Sequence, residues 1–160
     1  MALITAQQVI TLSFTHLNTD TSLVKAAYIT IAELEYIKPR LGEDLYNVIA
    51  AGSLSGKNQI LYETYITPAM AFYVKYLCLP DLYIKTASAG LQINNREFSN
   101  SGGKDDRADL GIATLNMAEM FMGNAIKYIE HPDNIEYFTT YTTSDETKVK
   151  VRSIGGILFE

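Results

Sequence analysis

A chain of 160 residues with a formal net charge of −5 is long enough to bury one core, and too acidic for a domain whose main task is to grip nucleic acid. Hydrophobic residues make up 48% and charged residues 19%, an apolar excess that subunit interfaces can absorb. The single cysteine, Cys78, leaves no intramolecular disulfide framework and no Cys-rich zinc site.

Residues 5–12 read as a short helix capped by Thr5, followed by a polar loop around 18–20. Asp20, Thr21 or Ser22 can cap the next helix, because their side-chain oxygens accept from its free amides. From Ser22 the segment SLVKAAYITIAELEYIKPRLGEDLYNVI carries an amphipathic pattern, in which Leu23, Ala27, Ile31, Leu34 and Ile37 line one expected core face. Pro39 interrupts it, so a kink or a new helix with Pro39 in its first turn is expected there. Leu41, Leu45, Val48 and Ile49 continue the stripe, and the turn residues from Gly52 to Gly56 end it.

The next helix is expected over residues 57–79, with Leu61, Tyr65, Ala69, Phe72 and Tyr76 on one stripe and Ile66, Met70, Val74 and Leu77 on a second. Such a helix is covered on more than one side. Pro68 predicts a kink or a break with Thr67 as cap, and Pro80 with Asp81 predicts the end. LYIKTASAGLQI then alternates as a short hairpin or extended insertion, and residues 94–104 read as an exposed polar loop around Phe98. A long helix is signalled from Asp105, with Leu110, Thr114, Met117, Phe121 and Tyr128 near one face, and the HPDN of residues 131–134 stops it. The last 26 residues, rich in Thr and β-branched side chains, read as an extended arm. The resulting fold class is mainly α: a bundle of about four helices in residues 1–134 with a loop insertion at 81–104, then an arm over 135–160.

Catalytic patterns are weak. His16 and His131 sit beside turn residues and suit surface or loop-anchoring roles. The SGGK of residues 101–104 lacks the earlier glycine, the following Ser or Thr and the buried strand of a phosphate loop. Asp105, Asp106 and Asp109 lack the glycine-turned loop and bidentate Glu of a calcium site and fit a helix start. Glu33 and Glu35, two apart on a helix, point away from each other and read as solvated charges or partners of Lys38 and Arg40. No catalytic, cofactor or metal residue is assigned, no cofactor is expected, and an enzyme is not expected. The N-terminus lacks the pattern of a signal peptide, and no window approaches the roughly 18 apolar residues of a membrane helix, so cytoplasmic synthesis without membrane insertion is expected.

The Ala-rich, acidic helix running into YIKPRLGEDLY resembles the opening of the small head-to-tail connector, or adaptor, proteins of tailed bacteriophages, in particular those of crAss-like phages of Bacteroidetes hosts. The resemblance extends more loosely over the Tyr-rich helix, the extended segment, the polar loop and the final long helix. It implies a structural virion protein at the head–tail junction, kept in the host cytoplasm before assembly. In that family about twelve copies close into a ring by head-to-tail contacts, bind the portal and tail or other ring proteins, and let DNA pass without sequence-specific binding. Eleven tyrosines and no tryptophan fit either an interface or a core, since the ring is apolar and its tip polar. The candidate subunit or portal contacts are Tyr62, Tyr65, Tyr73, Arg96, Phe98, Lys104, Tyr141, Lys148, Lys150, Arg152 and Phe159. In the arm, Lys148, Lys150 and Arg152 alternate with Val149 and Val151, one basic and one apolar edge if extended, as strand addition to a neighbour requires. A hairpin folded back on its own helices is the alternative for this segment. For the whole chain, the alternatives are a soluble helical regulatory or protein-binding module of cellular origin and a small-molecule-binding bundle.

Overall fold

The computed structural model describes residues 2–14, 20–52, 54–87, 90–93 and 104–141, with side chains described for all of these except 83–87, 90–93 and 104–107. Helices α1 (Ala6–Ser13), α2 (Ala26–Ala32), α3 (Lys38–Leu41), α4 (Glu43–Ala50), α5 (Gly56–Ile60), α6 (Thr67–Tyr83), α7 (Lys104–Glu130) and α8 (Pro132–Ile135) follow one another. Between α6 and α7, β1 (Ile84–Ala87) and β2 (Gly90–Ile93) pair antiparallel, Ile84 opposite Ile93 and Ala87 opposite Gly90. The protein is mainly helical. Four residue pairs in a two-stranded ladder make no core of their own.

Thr5 caps α1 as its sequence predicts: its hydroxyl accepts from the Gln8 amide while the Gln8 side chain accepts from the Thr5 amide. Asp20 caps only a single 3-10 turn, Thr21–Leu23, and α2 begins later, after Lys25. The two interior prolines are handled alike. Neither breaks its helix: residues Glu33–Ile37 and Leu61–Ile66 form π-helical turns leading into α3 and α6. In each, the residue before the proline bonds five residues back, Lys38 to Glu33 and Thr67 to Tyr62. This wider turn accommodates a ring that would clash with the carbonyl four residues earlier. Thr67 is therefore helical instead of a cap, and its hydroxyl also donates to the Tyr62 carbonyl, at 2.9 Å. Gly42, at φ 76° and ψ 158°, makes the sharp corner between α3 and α4 that a side chain would oppose. Gly52 and Gly56, both at positive φ, form the expected turn after α4.

Helix α6 is the centre. Helices α1, α2 and α7 all lie against it, and Ala69, Met70, Ala71, Tyr73, Val74 and Cys78 are buried around it, so it is covered on more than one side as expected, although Phe72, Tyr76 and Leu77 of the expected stripes are only half-buried and Ala71, Tyr73 and Cys78 lie off them. The helix runs through Pro80 to Tyr83, four residues beyond its expected end. The N-terminal segment is strapped on by the Tyr62 hydroxyl, which donates to the Leu3 carbonyl, and by the Lys75 ammonium, which donates to the Ser13 carbonyl at 2.6 Å.

The expected face is overturned in α2 and met only in part in α7, where Thr114 is buried as expected. In α2 and the π turn after it, Ile29, Ala32, Glu33 and Ile37 face the core. Of the predicted stripe only Ile37 is buried, and Leu23, Ala27, Ile31 and Leu34 face water. In α7 the core face is Thr114, Ala118, Met122, Ala125 and Ile129, while Leu110 and Met117 are exposed and Phe121 and Tyr128 half-buried. Ala118 and Ala125 alternate there with the buried Met122 and Ile129 where α7 lies on α6, with the Phe72 and Phe121 rings stacked at 5.9 Å beside the seam. Val48 of α4 is likewise exposed, whereas Leu41, Leu45 and Ile49 are buried. The stretch expected to open the C-terminal arm turns back instead: Phe138 is buried against Tyr128 and Tyr137, and the Tyr141 hydroxyl meets Glu130. The body thus extends at least to Tyr141, past the expected boundary at 134.

Candidate interaction surface

Of the residues proposed for subunit or portal contact, Arg96, Phe98, Lys148, Lys150, Arg152 and Phe159 lie outside the described residues, as does His16. Lys104 is the first residue of α7. The four tyrosines fall in different settings. Tyr73 is fully buried, its ring stacked on Tyr36 at 4.4 Å and its hydroxyl donating to Glu119 at 2.8 Å. Burial, and then the Glu119 carboxylate, drive its pKa far above the ordinary phenol range against the opposing pull of Arg40. It belongs to the core and is no surface contact. Tyr62 is half-buried and committed to Leu3. Tyr141, partly buried, is pushed up to about 12 by burial and by Glu130, with which it bonds.

Tyr65 lines the larger and more open of two clefts among the described residues, the smaller being lined in part by Tyr62. The π turn Leu61–Ile66 carries its ring toward Tyr128, 5.3 Å away between centroids, and the two rings share a cleft of about 540 Å³ with Asn124, Lys127, His131, Asp133 and Asn134. Asn134, buried at the cleft floor, donates to the Tyr128 carbonyl, and burial followed by the neighbouring tyrosines raises the Tyr128 pKa. His131 has the anchoring part expected of it: Nδ1 accepts from the Asp133 amide, 3.3 Å away, as the cap of α8. The Lys57 ammonium donates to the Asp133 carbonyl and lies over the Tyr137 ring. The cleft is shallow, donor-rich and placed where α7 ends, so it suits polar contact with another surface.

The carboxylates also differ from expectation. Glu33 is only 8% exposed and accepts from the Leu3 amide at 2.6 Å and the Tyr46 hydroxyl at 3.1 Å, so it anchors the N-terminus instead of facing solvent. Lys38 pairs with Glu43 and Arg40 with Glu119, at 2.8 and 2.7 Å; neither takes the partner expected from local sequence. Cys78 is buried, and burial pushes its thiol up to about 11, the inert structural thiol its apolar run predicts. Among the described residues no group of three or more His, Cys, Asp or Glu could hold a metal ion, and no helix is long and apolar enough to cross a membrane.

Sequence reasoning missed the outward faces of α2 and α7. Ile31, Leu34, Ile112, Met117 and Met120 are exposed, and the one charge within each stretch, Glu33 or Glu119, is turned inward. The legible signal was the lack of charge: apart from Glu33 none lies in residues 26–34, and apart from Glu119 none in 110–126.

Residues 37–151, more than two thirds of the chain, match the model of a family described as "Family of unknown function (DUF6712)". No curated protein and no solved structure matches the chain.

Proposed function

We propose that this chain, which belongs to the DUF6712 family, is a structural protein of a bacteriophage virion, forming a ring that joins the portal to the tail or to further ring proteins. The observation that carries the reading is a helical body that keeps large apolar side chains in water on several helices, Ile31, Leu34, Ile112 and Met120 among them. A chain acting alone gains nothing from such a surface, whereas a subunit hides it on assembly. The resemblance carried by the YIKPRLGEDLY segment supplies the kind of assembly. The family match begins within that segment, at Ile37.

In this reading the protein binds and shapes, and no turnover is involved. Helices form the ring wall. In the same proposal residues 84–93 and the segment from 142 onward make contacts with neighbouring subunits, the latter by adding its alternating Lys148–Val149–Lys150–Val151–Arg152 edge to a neighbour's strand. A net charge of −5 lets DNA slide through the channel without sticking. The site of action is the head–tail junction of the virion.

Light scattering of the purified chain, with and without its portal protein, followed by electron microscopy of large species, tests this. Rings in solution, or a monomer that becomes a ring on the portal, are expected. A monomer that ignores the portal overturns the reading in favour of a cellular helical binding module.

A further inference from the structure

We infer that the outward face of α2 in one copy docks on the outward face of α7 in the next copy of this chain, and that this head-to-tail contact is the seam of the assembly. The identity of the partner rests on the ring reading above; the two faces themselves are read from the fold.

Each segment keeps large apolar side chains on its outer face as well as its inner one. The ordinary pattern puts charge outward and large apolar side chains inward. Here Glu33 points inward to the Leu3 amide and the Tyr46 hydroxyl, and Glu119 inward to Arg40 and Tyr73. The core contact is made by Ile29, Ala32 and Ile37 on one side and by Thr114, Ala118, Met122, Ala125 and Ile129 on the other, while Leu23, Ile31 and Leu34, and Leu110, Met117 and Met120, face out. Both charges in these stretches are consumed internally, so neither outer face carries any charge of its own between Ala26 and Leu34 or between Leu110 and Ile126.

Two arguments select a second copy as the occupant. The first is electrostatic match. An uncharged apolar face strips water from any charge set against it without repaying the loss, so it selects a partner face equally free of charge. This chain owns two such faces. They do not meet within one copy, where the side chains of both stay exposed.

The second argument is area. Leu23, Ile31 and Leu34 retain 39, 42 and 53% of their surface, and Leu110, Met117 and Met120 retain 41, 40 and 48%. Each trio leaves roughly 250 Å² of apolar surface in water, so the two set roughly 500 Å² of apolar surface at the centre of a contact, the scale of apolar centre that a specific interface of about 1,000 Å² carries within a polar rim. One such seam is weak in isolation. A heterologous seam repeats at every subunit, and closure of the ring lets each contact reinforce the others.

The test uses the full chain, whose only native cysteine, Cys78, is buried. Ala27→Cys and Ala113→Cys place one thiol on each exposed face, singly and together, for treatment with a short bis-maleimide. The double variant is expected to give a ladder of covalent oligomers, and an equimolar mixture of the single variants a covalent dimer. Each single variant alone is expected to stay uncrosslinked. Ile31→Lys and Met117→Lys, at exposed positions where the fold tolerates a charge, are expected each to raise the concentration needed for assembly by roughly 30-fold or more, with unchanged circular dichroism. Dimers from either single variant alone would mean like-on-like pairing and overturn the inference, as would rings on the portal that form equally well with both Lys variants. The latter result leaves the connector reading standing. A ladder from a chain that ignores the portal keeps the seam and sinks the connector reading.

Discussion

Replacing Glu119 by Ala should unsettle the core more than any single aliphatic truncation on the outside of α7. The Glu119 carboxylate holds two groups at once: Arg40, whose side chain is 13% exposed, at 2.7 Å, and the hydroxyl of the fully buried Tyr73 at 2.8 Å. Its removal leaves a guanidinium with no counter-charge, whose Nε already lacks a partner, and a buried phenol with no acceptor. Stranding one partner of a fully buried pair costs about 3–5 kcal/mol, but Glu119 keeps 34% of its side chain in water, so screening lowers the expected loss to about 2–3 kcal/mol. For a domain of this size that is a fall of roughly 5–10 °C in Tm.

Glu119→Gln keeps an acceptor for Tyr73 and loses only the charge, so it should fall between wild type and Ala. The double variant Arg40→Met with Glu119→Leu removes both charges together and should recover part of the stability, because no ion is then left unpaired although the Tyr73 hydroxyl still lacks its acceptor. Urea denaturation of wild type, Arg40→Met, Glu119→Leu and the double variant gives the coupling energy, expected at about 1–2 kcal/mol. Additive losses, or an Ala variant within about 0.5 kcal/mol of wild type, would refute the network as an energetic unit and reduce it to a surface ion pair.

The remaining expectations are narrower. Gly42→Ala should cost about 1–3 kcal/mol in denaturant titration, since φ 76° with ψ 158° is essentially closed to a residue with a Cβ; a neutral result would show that the corner between α3 and α4 relaxes freely. Ala118→Leu should lower stability by about 1–3 kcal/mol through overpacking against α6, whereas Met117→Ala, one residue away, should leave it within about 0.5 kcal/mol, a contrast that checks the α7 register. The thiol of Cys78 should resist a chromogenic disulfide reagent at neutral pH until urea unfolds the chain, because burial has raised it to about 11; rapid labelling of the native protein would contradict its placement. Asp81 is held below the ordinary carboxylate value by Lys25 and Tyr28, which pair with it at 2.5 and 2.6 Å. A depressed folded pKa gives stability that is fully present above the unfolded value of about 3.9 and lost as pH falls through the folded one. Asp81→Asn should therefore flatten the acid limb of the Tm profile, and an unchanged limb would show the cluster to be energetically idle.

Residue types that act locally were read well from sequence, and those that act across the fold were not. Thr5 with Gln8, Gly52 with Gly56, and the HPDN stop each act within four residues, so their chemistry is written in consecutive letters. The covering of α6 on more than one side was equally legible, because a helix apolar on several sides has nowhere else to go. Pro39 and Pro68 were seen as interruptions, but the sequence does not distinguish a kink from a π turn, which depends on whether residues 33–37 and 61–66 are held by neighbours on both sides. Glu33 and Glu119 were opaque for the same reason: their partners, Leu3, Tyr46, Tyr73 and Arg40, lie 13 to 79 residues away.

The misplaced faces of α2 and α7 carry a physical argument of their own. Periodicity assigns the core to whichever stripe holds the largest apolar side chains, which presumes that the chain has one interior. In α2 that stripe points outward apart from Ile37, and in α7 it is split, with Leu110 and Met117 outward, Thr114 inward and Phe121 and Tyr128 half-buried, while the inner faces set alanines among larger buried side chains. Alanine buries little area per residue but loses no side-chain entropy, so close packing of α7 on α6 is maintained with Ala118 and Ala125 alternating with Met122 and Ile129. The larger residues are then spare for a second interior. A helix that satisfies two apolar surfaces must keep charge off both, which is why the only carboxylates within these stretches occupy inward positions with fixed partners. Moving one such charge outward tests the logic from the other side: Met120→Glu should preserve the fold, because position 120 faces solvent in the single chain, and should still abolish assembly by placing an unpaired carboxylate in the seam. Full assembly of Met120→Glu at wild-type concentration would show that the outer face of α7 remains in water, and the alanine seam would then be a matter of packing alone.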